Sequence, residues 1–455
     1  MRFSKILILI LSIIFIISPL ISIFVKLASA QTSLIDTAST FKLNLASNQP
    51  SANANLTVDI SIPEGETMPN NIDLKIPIGW DIKGGTEIVQ EAQIGTGIVK
   101  VNYLGKIYDL DINAFNEQET FGAKARWKIV IGQEPFELPE GIIYWSVTGS
   151  DKDGFVLNIN SPIIDDFDTP FSFNFTFFGK TSSNESAIIN PVSDGEYIYY
   201  ADINYSDGKV VTLPLSLPIS STKTGVVEGM STTPGDNVTN EINSATITFT
   251  SVTTLGSTSV TTTADTPDAG TGQFQVSKGL YYDFDTTAKI DCPCFVTLPY
   301  DPGTTDKPSI YHLEDGVWVD VTTSIDNINS TVTGMVMSFS YFATGQPDFG
   351  LEFMDPISAL QEVSNPMRLN RNRTLPVNFT LTNSDGNFIL RNDIKVQIIN
   401  NETSTQVGLI DAAVLEKHYK ANLDLKSLNL PDGTYKIRVI VGNTVYTPTL
   451  LFNPV

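Results

Sequence analysis

The sequence predicts an all-β protein made of tandem immunoglobulin-like β-sandwich domains after an N-terminal signal segment. Apolar residues alternate along many stretches, as in Leu56, Val58, Ile60 and Ile62, which is the pattern of strands with one buried face. Amphipathic helical repeats are almost absent, and residues 411–420 form the one short helix candidate. Asp-Gly, a dipeptide that favours tight hairpin turns because both residues tolerate positive φ, is frequent. It begins at Asp153, Asp194, Asp207, Asp315, Asp385 and Asp432. Strands this numerous normally stack as sandwiches.

The first element is a signal peptide at residues 1–30. Arg2 and Lys5 precede an apolar run at residues 6–25, and small residues precede the expected cut after residue 30. The apolar run is about twenty residues long, so it would also span a bilayer if it were never cut. The sequence therefore predicts export of residues 31–455, either released or held at the membrane through residues 6–25.

Composition divides the exported chain into modules. Two short stretches, one rich in Gly, Ser and Thr, separate three longer regions. The first region is large for one sandwich, and it holds either one domain or two domains divided near residues 132–140. The predicted order is an acidic β-sandwich region at residues 31–220, a linker at 221–236, a β-rich module at 237–345, a second linker at 346–365 and a last β-sandwich at 366–455.

The net charge of the chain limits the classes of partner that are expected. The chain carries 28 basic and 50 acidic residues, a net charge of −22. A surface this acidic repels nucleic acid and anionic lipid, so neither is expected as a partner. The last module is slightly basic, with Arg368, Arg371 and Arg373 near its start. This cluster would dock on an acidic wall polymer or on the acidic modules of the same chain, unless it is simply a solvated edge.

A family resemblance lies in the last module. Residues 374–382 (TLPVNFTLT) and 430–435 (LPDGTY) resemble the PxKF domain of exported microbial proteins. The family motif falls on Pro376, Val377, Asn378 and Phe379, with Asn378 in place of the family lysine. The resemblance implies a small immunoglobulin-like sandwich at the C-terminus of secreted or surface proteins, without catalytic activity. Motifs at 281–288 and 337–343 are similar to a β-rich unit that often precedes such domains.

The two cysteines are a candidate disulfide. Cys292 and Cys294 flank Pro293, and thiols outside the cytosol tend to oxidise. Residues two apart in a flat strand sit too far apart for an unstrained bond, so closure requires a bend at the proline. Free or intermolecular thiols are the alternative. Metal binding is disfavoured, because no third or fourth ligand adjoins them.

Catalytic groups are scarce. His312 and His418 are the only histidines, and neither lies near a nucleophile motif. Phosphate loops and dinucleotide fingerprints are absent from the sequence. Asp165, Asp166 and Asp168 share a segment between prolines that is typical of a solvated turn or, less often, of a cation site. The sequence predicts no catalytic residue, no metal site and no cofactor, with a carboxylate-based hydrolase in residues 31–220 as the remaining enzyme hypothesis.

Glycosylation sequons are the last motif. Nine Asn-x-Ser/Thr sites occur, of which Asn378 is doubtful because it lies in a strand and is expected to point inward. The eight candidates are Asn55, Asn174, Asn184, Asn204, Asn237, Asn329, Asn372 and Asn401.

The function predicted from these observations is that of a non-enzymatic exported or cell-surface protein with structural or adhesive β-sandwich modules. Its expected partner is a cell-wall or extracellular glycan or another surface protein. The alternative is a carbohydrate-binding extracellular protein in which exposed tryptophans stack on sugar rings, although tryptophans in sandwiches are more often core residues. The four tryptophans are Trp80, Trp127, Trp145 and Trp318.

Overall fold

Strands dominate the structure, a computed structural model. It describes residues 39–83, 90–117, 125–131, 142–150, 152–160, 168–178, 188–270, 272–303, 307–357, 366–403, 405–446 and 451–455. Strand accounts for 65% of the residues and helix for 1%, which confirms the all-β prediction. The predicted signal peptide at 1–30 and the possible division at 132–140 lie outside the described residues. Within them, no helix is long and apolar enough to cross a membrane.

The first module has one main antiparallel sheet, a separate pair of short strands and one hydrophobic core. Its strands are β1 Thr40–Leu45, β2 Leu56–Ile62, β3 Asn71–Ile76, β4 Asp81–Ile82, β5 Gln93–Tyr103, β6 Lys106–Glu117, β7 Ala125–Ile131, β8 Ile142–Ser150, β9 Gly154–Asn160, β10 Asp168–Phe177, β11 Ile188–Ile189, β12 Gly195–Asn204 and β13 Val210–Ile219. The main sheet runs β1-β2-β10-β5-β6-β7-β8-β9-β3-β12-β13, and β4 pairs separately with β11.

Period-two burial builds this core. Along β2 every second residue, from Leu56 to Ile62, is buried, as the alternation predicts. On the neighbouring β10 the buried residues are phenylalanines, and the rings of Phe175 and Phe177 meet edge to face at 4.6 Å. Buried residues from Phe41 to Val227 form a single cluster. The described part of the first region is therefore one core rather than two.

The second module is a two-layer sandwich. Its strands are β14 Val226–Thr232, β15 Gly235–Ile242, β16 Ala245–Thr254, β17 Gly256–Thr263, β18 Phe274–Thr286, β19 Lys289–Asp291, β20 Cys294–Pro299, β21 Ser309–Glu314, β22 Val317–Asp320, β23 Thr322–Asp326, β24 Thr331–Val336 and β25 Tyr341–Pro347. One layer is the sheet β15-β16-β20-β24-β23, with β19 paired to β16. The other layer runs β14-β17-β18-β25-β21-β22. Their inward residues share one core cluster.

The third module is a second sandwich. Its elements are β26 Gly350–Phe353, β27 Met367–Leu369, β28 Thr374–Thr382, β29 Ile394–Asn400, β30 Gln406–Asp411, β31 Ala413–Leu415, β32 His418–Asp424, α1 Leu425–Leu428, β33 Tyr435–Val441, β34 Thr444–Tyr446 and β35 Leu451–Pro454. The sheet β26-β28-β32-β31 packs against strands β29, β30, β33, β34, β35 and β27. The helix candidate at 411–420 was wrong, because residues 413–415 and 418–420 are strand. The one described helix, α1, is capped by Asp424, whose side chain accepts from the Lys426 N–H.

Both predicted linkers contain strand, which corrects the domain prediction. Within 221–236, β14 pairs with β1 on one side and β17 on the other. Within 346–365, β26 pairs with β28, and Phe353 is buried. Small and polar residues produced the linker prediction. In β14 they form a strand because it pairs with neighbours on both sides, whereas β26 is the edge strand of its sheet.

Candidate functional site

Three of the four tryptophans are not available to stack on a sugar ring. Trp80, Trp127 and Trp318 are fully buried, so their rings are out of reach of a glycan. Trp80 meets Tyr199 edge to face at 5.8 Å, and Trp127 lies 5.0 Å from Phe177. These three residues are core residues. Trp145 lies in β8, but its side chain is outside the described part of the structure.

The cysteines form a disulfide. Cys292 and Cys294 are joined across a Cα–Cα distance of 4.6 Å, and the intervening peptide bond before Pro293 is cis. Cys294 begins β20 and is fully buried in the second core. The carbonyl of Pro293 accepts a hydrogen bond from the Thr250 hydroxyl of β16. The disulfide loop is thereby attached to the neighbouring strand.

His312 has partners that the sequence did not indicate. It lies buried on β21, where its Nδ1 is 3.1 Å from Glu314 Oε1 and its Nε2 is 3.1 Å from Ser340 Oγ. The hydrogen bond from His312 lowers the pKa of Glu314. Ser340, twenty-eight residues away in sequence, reaches the ring because β25 pairs with β21. No local sequence motif around Ser340 indicated this contact.

The order Ser340–His312–Glu314 is that of a nucleophile, base and acid relay. However, the Ser340 hydroxyl donates to the Leu313 carbonyl at 2.5 Å. That proton is therefore committed to the backbone rather than to the imidazole. The ring also stacks on Phe342 at 4.3 Å. In this geometry the side chains of Ser340, His312 and Glu314 hold β21 against the segment before β25. His418, the other histidine, begins β32 and is half-buried.

The acidic candidates are not assembled into a site by the described residues. Asp165 and Asp166 lie outside them, and Asp168 is exposed at the start of β10. Asp153 accepts from the Ser150 hydroxyl at 2.7 Å within a hairpin turn. Among the described residues, no group of three or more His, Cys, Asp or Glu side chains is placed to hold a metal ion.

The basic cluster of the last module is partly neutralised. Arg371 forms an ion pair with Asp432 and donates to the Pro454 carbonyl at 3.2 Å. Arg368 and Arg373 are exposed. The arginines therefore divide between one side chain that ties down the C-terminal strand and two that face solvent.

The sequons differ in how their amides are engaged. Asn174 donates to Asp59 Oδ2 at 3.0 Å and Asn329 to Asp326 Oδ2 at 2.7 Å. Asn204 is half-buried beside Asp73, and Asn184 lies outside the described residues. Asn174 and Asn329 are exposed, and so are four further sites, Asn55, Asn237, Asn372 and Asn401. These four present the most accessible amides for modification.

The PxKF-like motif lies in β28. Val377 and Phe379 are fully buried, and Phe379 stacks on Tyr419 at 5.4 Å. Pro376 and Asn378 are half-buried on the opposite face, where Asn378 Nδ2 donates to the Asp355 carbonyl at 2.9 Å. The motif thus contributes alternate core positions of the third sandwich.

The first junction between modules is a shared strand. Strand β14 pairs through Val227–Met230 with Leu45–Lys42 of β1, and it also pairs along its whole length with β17. Val227 belongs to the first core and Met230 to the second. A Cβ on Gly229 would lie 2.7 Å from Leu217 Cδ2, so any other residue here would require the Leu217 side chain to move.

Polar contacts reinforce this junction. Asn48 donates to the Lys223 carbonyl at 2.8 Å and accepts from the Gly225 N–H at 2.9 Å. Lys223 pairs with Asp283 at 2.7 Å, with Asp283 only 4% exposed and Lys223 half-exposed. Burial raises the pKa of Asp283, and Lys223 partly opposes that rise. An open cleft of about 370 Å³ beside these contacts is lined in part by Asp265.

The second junction is an aromatic cluster. Phe274 stacks on Tyr311 at 3.9 Å and meets Trp318 edge to face at 5.5 Å. Phe274, Tyr311 and Trp318 all belong to the second module, yet they are part of the core cluster of the third module. Tyr311 lies 6.4 Å from Tyr446 of β34. Strand β22 also pairs in parallel with β34 through Trp318 and Thr444.

Comparison with known proteins adds no relative. No family model matches the chain. No curated protein matches it at a significant level. The PxKF resemblance of the last module accordingly stays a prediction that rests on its quoted residues.

Proposed function

We propose that this chain is a non-enzymatic exported or cell-surface protein whose β-sandwich modules act as a structural and adhesive unit. One observation supports this proposal above the others: sheet hydrogen bonding continues across both module junctions, through β1-β14-β17 and through β22-β34. Junctions built this way resist bending and separation, because rotation would break backbone hydrogen bonds and open a packed core.

The exported setting is inferred from the sequence. The predicted signal peptide at residues 1–30, the disulfide between Cys292 and Cys294 and the PxKF-like end of the chain all favour a secreted or surface location. The expected partners are an extracellular glycan or another surface protein. A carboxylate-based hydrolase in residues 31–220 is the less favoured alternative.

Cell fractionation combined with N-terminal sequencing of the mature protein tests this function. The expected result is a chain in the extracellular or envelope fraction, beginning at Gln31 if the signal is cut or at the original N-terminus if it anchors the protein. A cytosolic chain with residues 1–30 intact would overturn the proposal. Turnover of a polysaccharide panel that is lost on Asp166→Asn would favour the hydrolase instead.

A further inference from the structure

The outer face of the second module's β15-β16-β20-β24-β23 sheet has an unusual composition. Among its three central strands, β20 and β24 alternate throughout between core and solvent, and β16 does so from Ala245 to Thr250. We name their outward residues the threonine face. They are Thr246, Thr248, Thr250, Phe295, Thr297, Pro299, Thr331, Thr333 and Met335. Six of these nine residues are threonine, and none is charged.

Register arranges these side chains in rows across the strands. One row is Thr246, Thr297 and Thr333, and the next row contains Phe295 and Met335. Successive rows are two residues apart, which is roughly 6.6–6.8 Å, and neighbouring strands are roughly 4.8 Å apart. Phe295 and Met335 are 38% and 45% exposed. A hydroxyl row therefore runs beside an apolar row.

The hydroxyls keep hydrogen-bonding capacity for a ligand. Thr297 and Thr333 are joined at 2.8 Å, and Thr248 is joined to Thr239 of β15 at 3.0 Å. A hydroxyl has one donor and two acceptor positions, so each pair uses one proton and leaves one donor and several lone pairs. Each pair is thus a fixed, partly unsatisfied polar group at the surface.

Charged residues flank the threonine face on the two edge strands and on β19, where Lys289 and Asp291 pair with β16. Glu241 of β15 pairs with Thr246, and Asp326 of β23 pairs with Thr331. The Asp326 carboxylate accepts from Asn329 at 2.7 Å within its own turn. A neutral surface of this extent stands out on a chain with a net charge of −22.

We infer that the threonine face binds a neutral polysaccharide. Such a chain presents hydroxyl groups beside C–H faces, and these match the hydroxyl row and the Phe295–Met335 row respectively. The absence of charge on these nine residues removes the desolvation cost that a charged face would impose on an uncharged ligand. This inference gives the ligand class of the adhesive function proposed above and rests on that function for its extracellular setting.

The same observations disfavour other occupants. An anionic polymer would find no cation among the nine residues and would be repelled by the acidic chain. A second copy of this chain carries the same negative charge, so pairing of two such faces would bring two acidic molecules together. The neutral glycan avoids both penalties.

A binding assay on the purified exported chain tests the inference. The probes are insoluble cellulose, chitin and curdlan, with alginate as an anionic polymer. Wild-type protein is expected to be retained by at least one neutral polysaccharide and not by alginate. Thr248→Glu, which places a carboxylate directly beside Phe295, and the double variant Phe295→Ala/Met335→Ala are each expected to weaken retention at least tenfold.

Two controls keep the result specific. Thr248→Val occupies the same position without a charge and is expected to lose much less binding than Thr248→Glu. Leu415→Ala removes a similarly exposed apolar side chain from the third module and is expected to bind like wild type. Circular dichroism confirms that each variant is folded.

Several outcomes overturn the inference. Retention by none of the neutral polysaccharides does so, as does equal retention of Thr248→Glu and wild type. A dimer in sedimentation that is lost in the double variant, without glycan retention, would assign the face to a second copy instead. Failure of binding with an extracellular location rejects the threonine face alone, whereas binding by a cytosolic protein rejects the proposed export.

Discussion

Trp318 provides the most direct test of the continuous junction between the second and third modules. Its ring contacts Phe274 at 5.5 Å and Tyr281 at 5.8 Å. Its indole N–H donates to the Gly270 carbonyl at 3.0 Å, and its backbone N–H donates to the Asn443 carbonyl at 2.8 Å. Trp318→Ala removes every contact of the ring and leaves the backbone bond. The cavity that this substitution creates lies where the second and third modules share one core.

The expected magnitude follows from burial. Replacing a fully buried tryptophan by alanine costs roughly 3–5 kcal/mol, through lost transfer energy and the cavity that remains. Because each ~1.4 kcal/mol is a factor of ten in an equilibrium constant, amides that exchange by opening of this junction should exchange roughly 10² to 4 × 10³ times faster. Since the core is shared, the effect is expected in β22 and equally in β34 of the third module.

Hydrogen exchange followed by mass spectrometry measures this effect peptide by peptide. Trp80→Ala is the matched control, because Trp80 is equally buried but belongs to the core of the first module. That variant is expected to accelerate exchange in the first module and to leave β34 unchanged. If Trp318→Ala accelerates β22 while β34 exchanges as in wild type, the junction is not cooperative and the reasoning fails.

Three further changes probe other features. Lys223→Met leaves the buried Asp283 carboxylate unpaired and should lower the free energy of unfolding at pH 7 by roughly 1–3 kcal/mol, allowing for the half-exposed lysine. The pKa of Asp283 is already raised in the wild-type protein. The free energy of unfolding of Lys223→Met should therefore recover as pH falls through that raised pKa. Urea titrations from pH 4 to 7 measure this recovery. Gly229→Leu should clash at the first junction and lower the Tm measured by calorimetry. Thiol alkylation of the unfolded chain should label Cys292 and Cys294 only after reduction.

Controls make these predictions decisive. Asp283→Asn combined with Lys223→Met should restore stability at pH 7, because no charge is then left unpaired. A deficit of Lys223→Met that is the same at pH 4 and pH 7 would contradict the electrostatic explanation. Gly235→Leu, at an exposed position without positive φ whose near neighbour is the Val238 side chain at 3.2 Å, measures the cost of leucine at a glycine outside the junction core. Labelling of both cysteines before reduction would show free thiols.

Local alternation was enough to predict the cores but not the pairing of strands. Leu56, Val58, Ile60 and Ile62 were expected to share one buried face, and all four are buried. The sequence of each strand indicates which of its faces is buried, because side chains alternate with period two. Which sheet receives that face depends on partners far away in sequence, and no local pattern encodes them.

The linker at 221–236 shows how composition misled. Glycine and small hydroxyl residues usually mark loops, but in β14 they allow a strand to pack against both modules, as Gly229 does against Leu217. The Ser340–His312 contact was missed for a related reason, since it arises from strand pairing rather than from spacing. The threonine face did carry a signal: Thr246, Thr248 and Thr250 alternate with core residues in the sequence itself.

The shared strand β14 also determines where this chain can be divided. A fragment that begins at residue 237, the boundary suggested by composition, would lack β14 and leave the edge of β17 unpaired, inviting association with other chains. A fragment that ends at residue 220 would expose β1 in the same way. Recombination at residue 220 or at residue 237 therefore leaves an unpaired strand edge in the neighbouring modules. The first two modules are consequently expected to be inherited as one unit rather than exchanged separately.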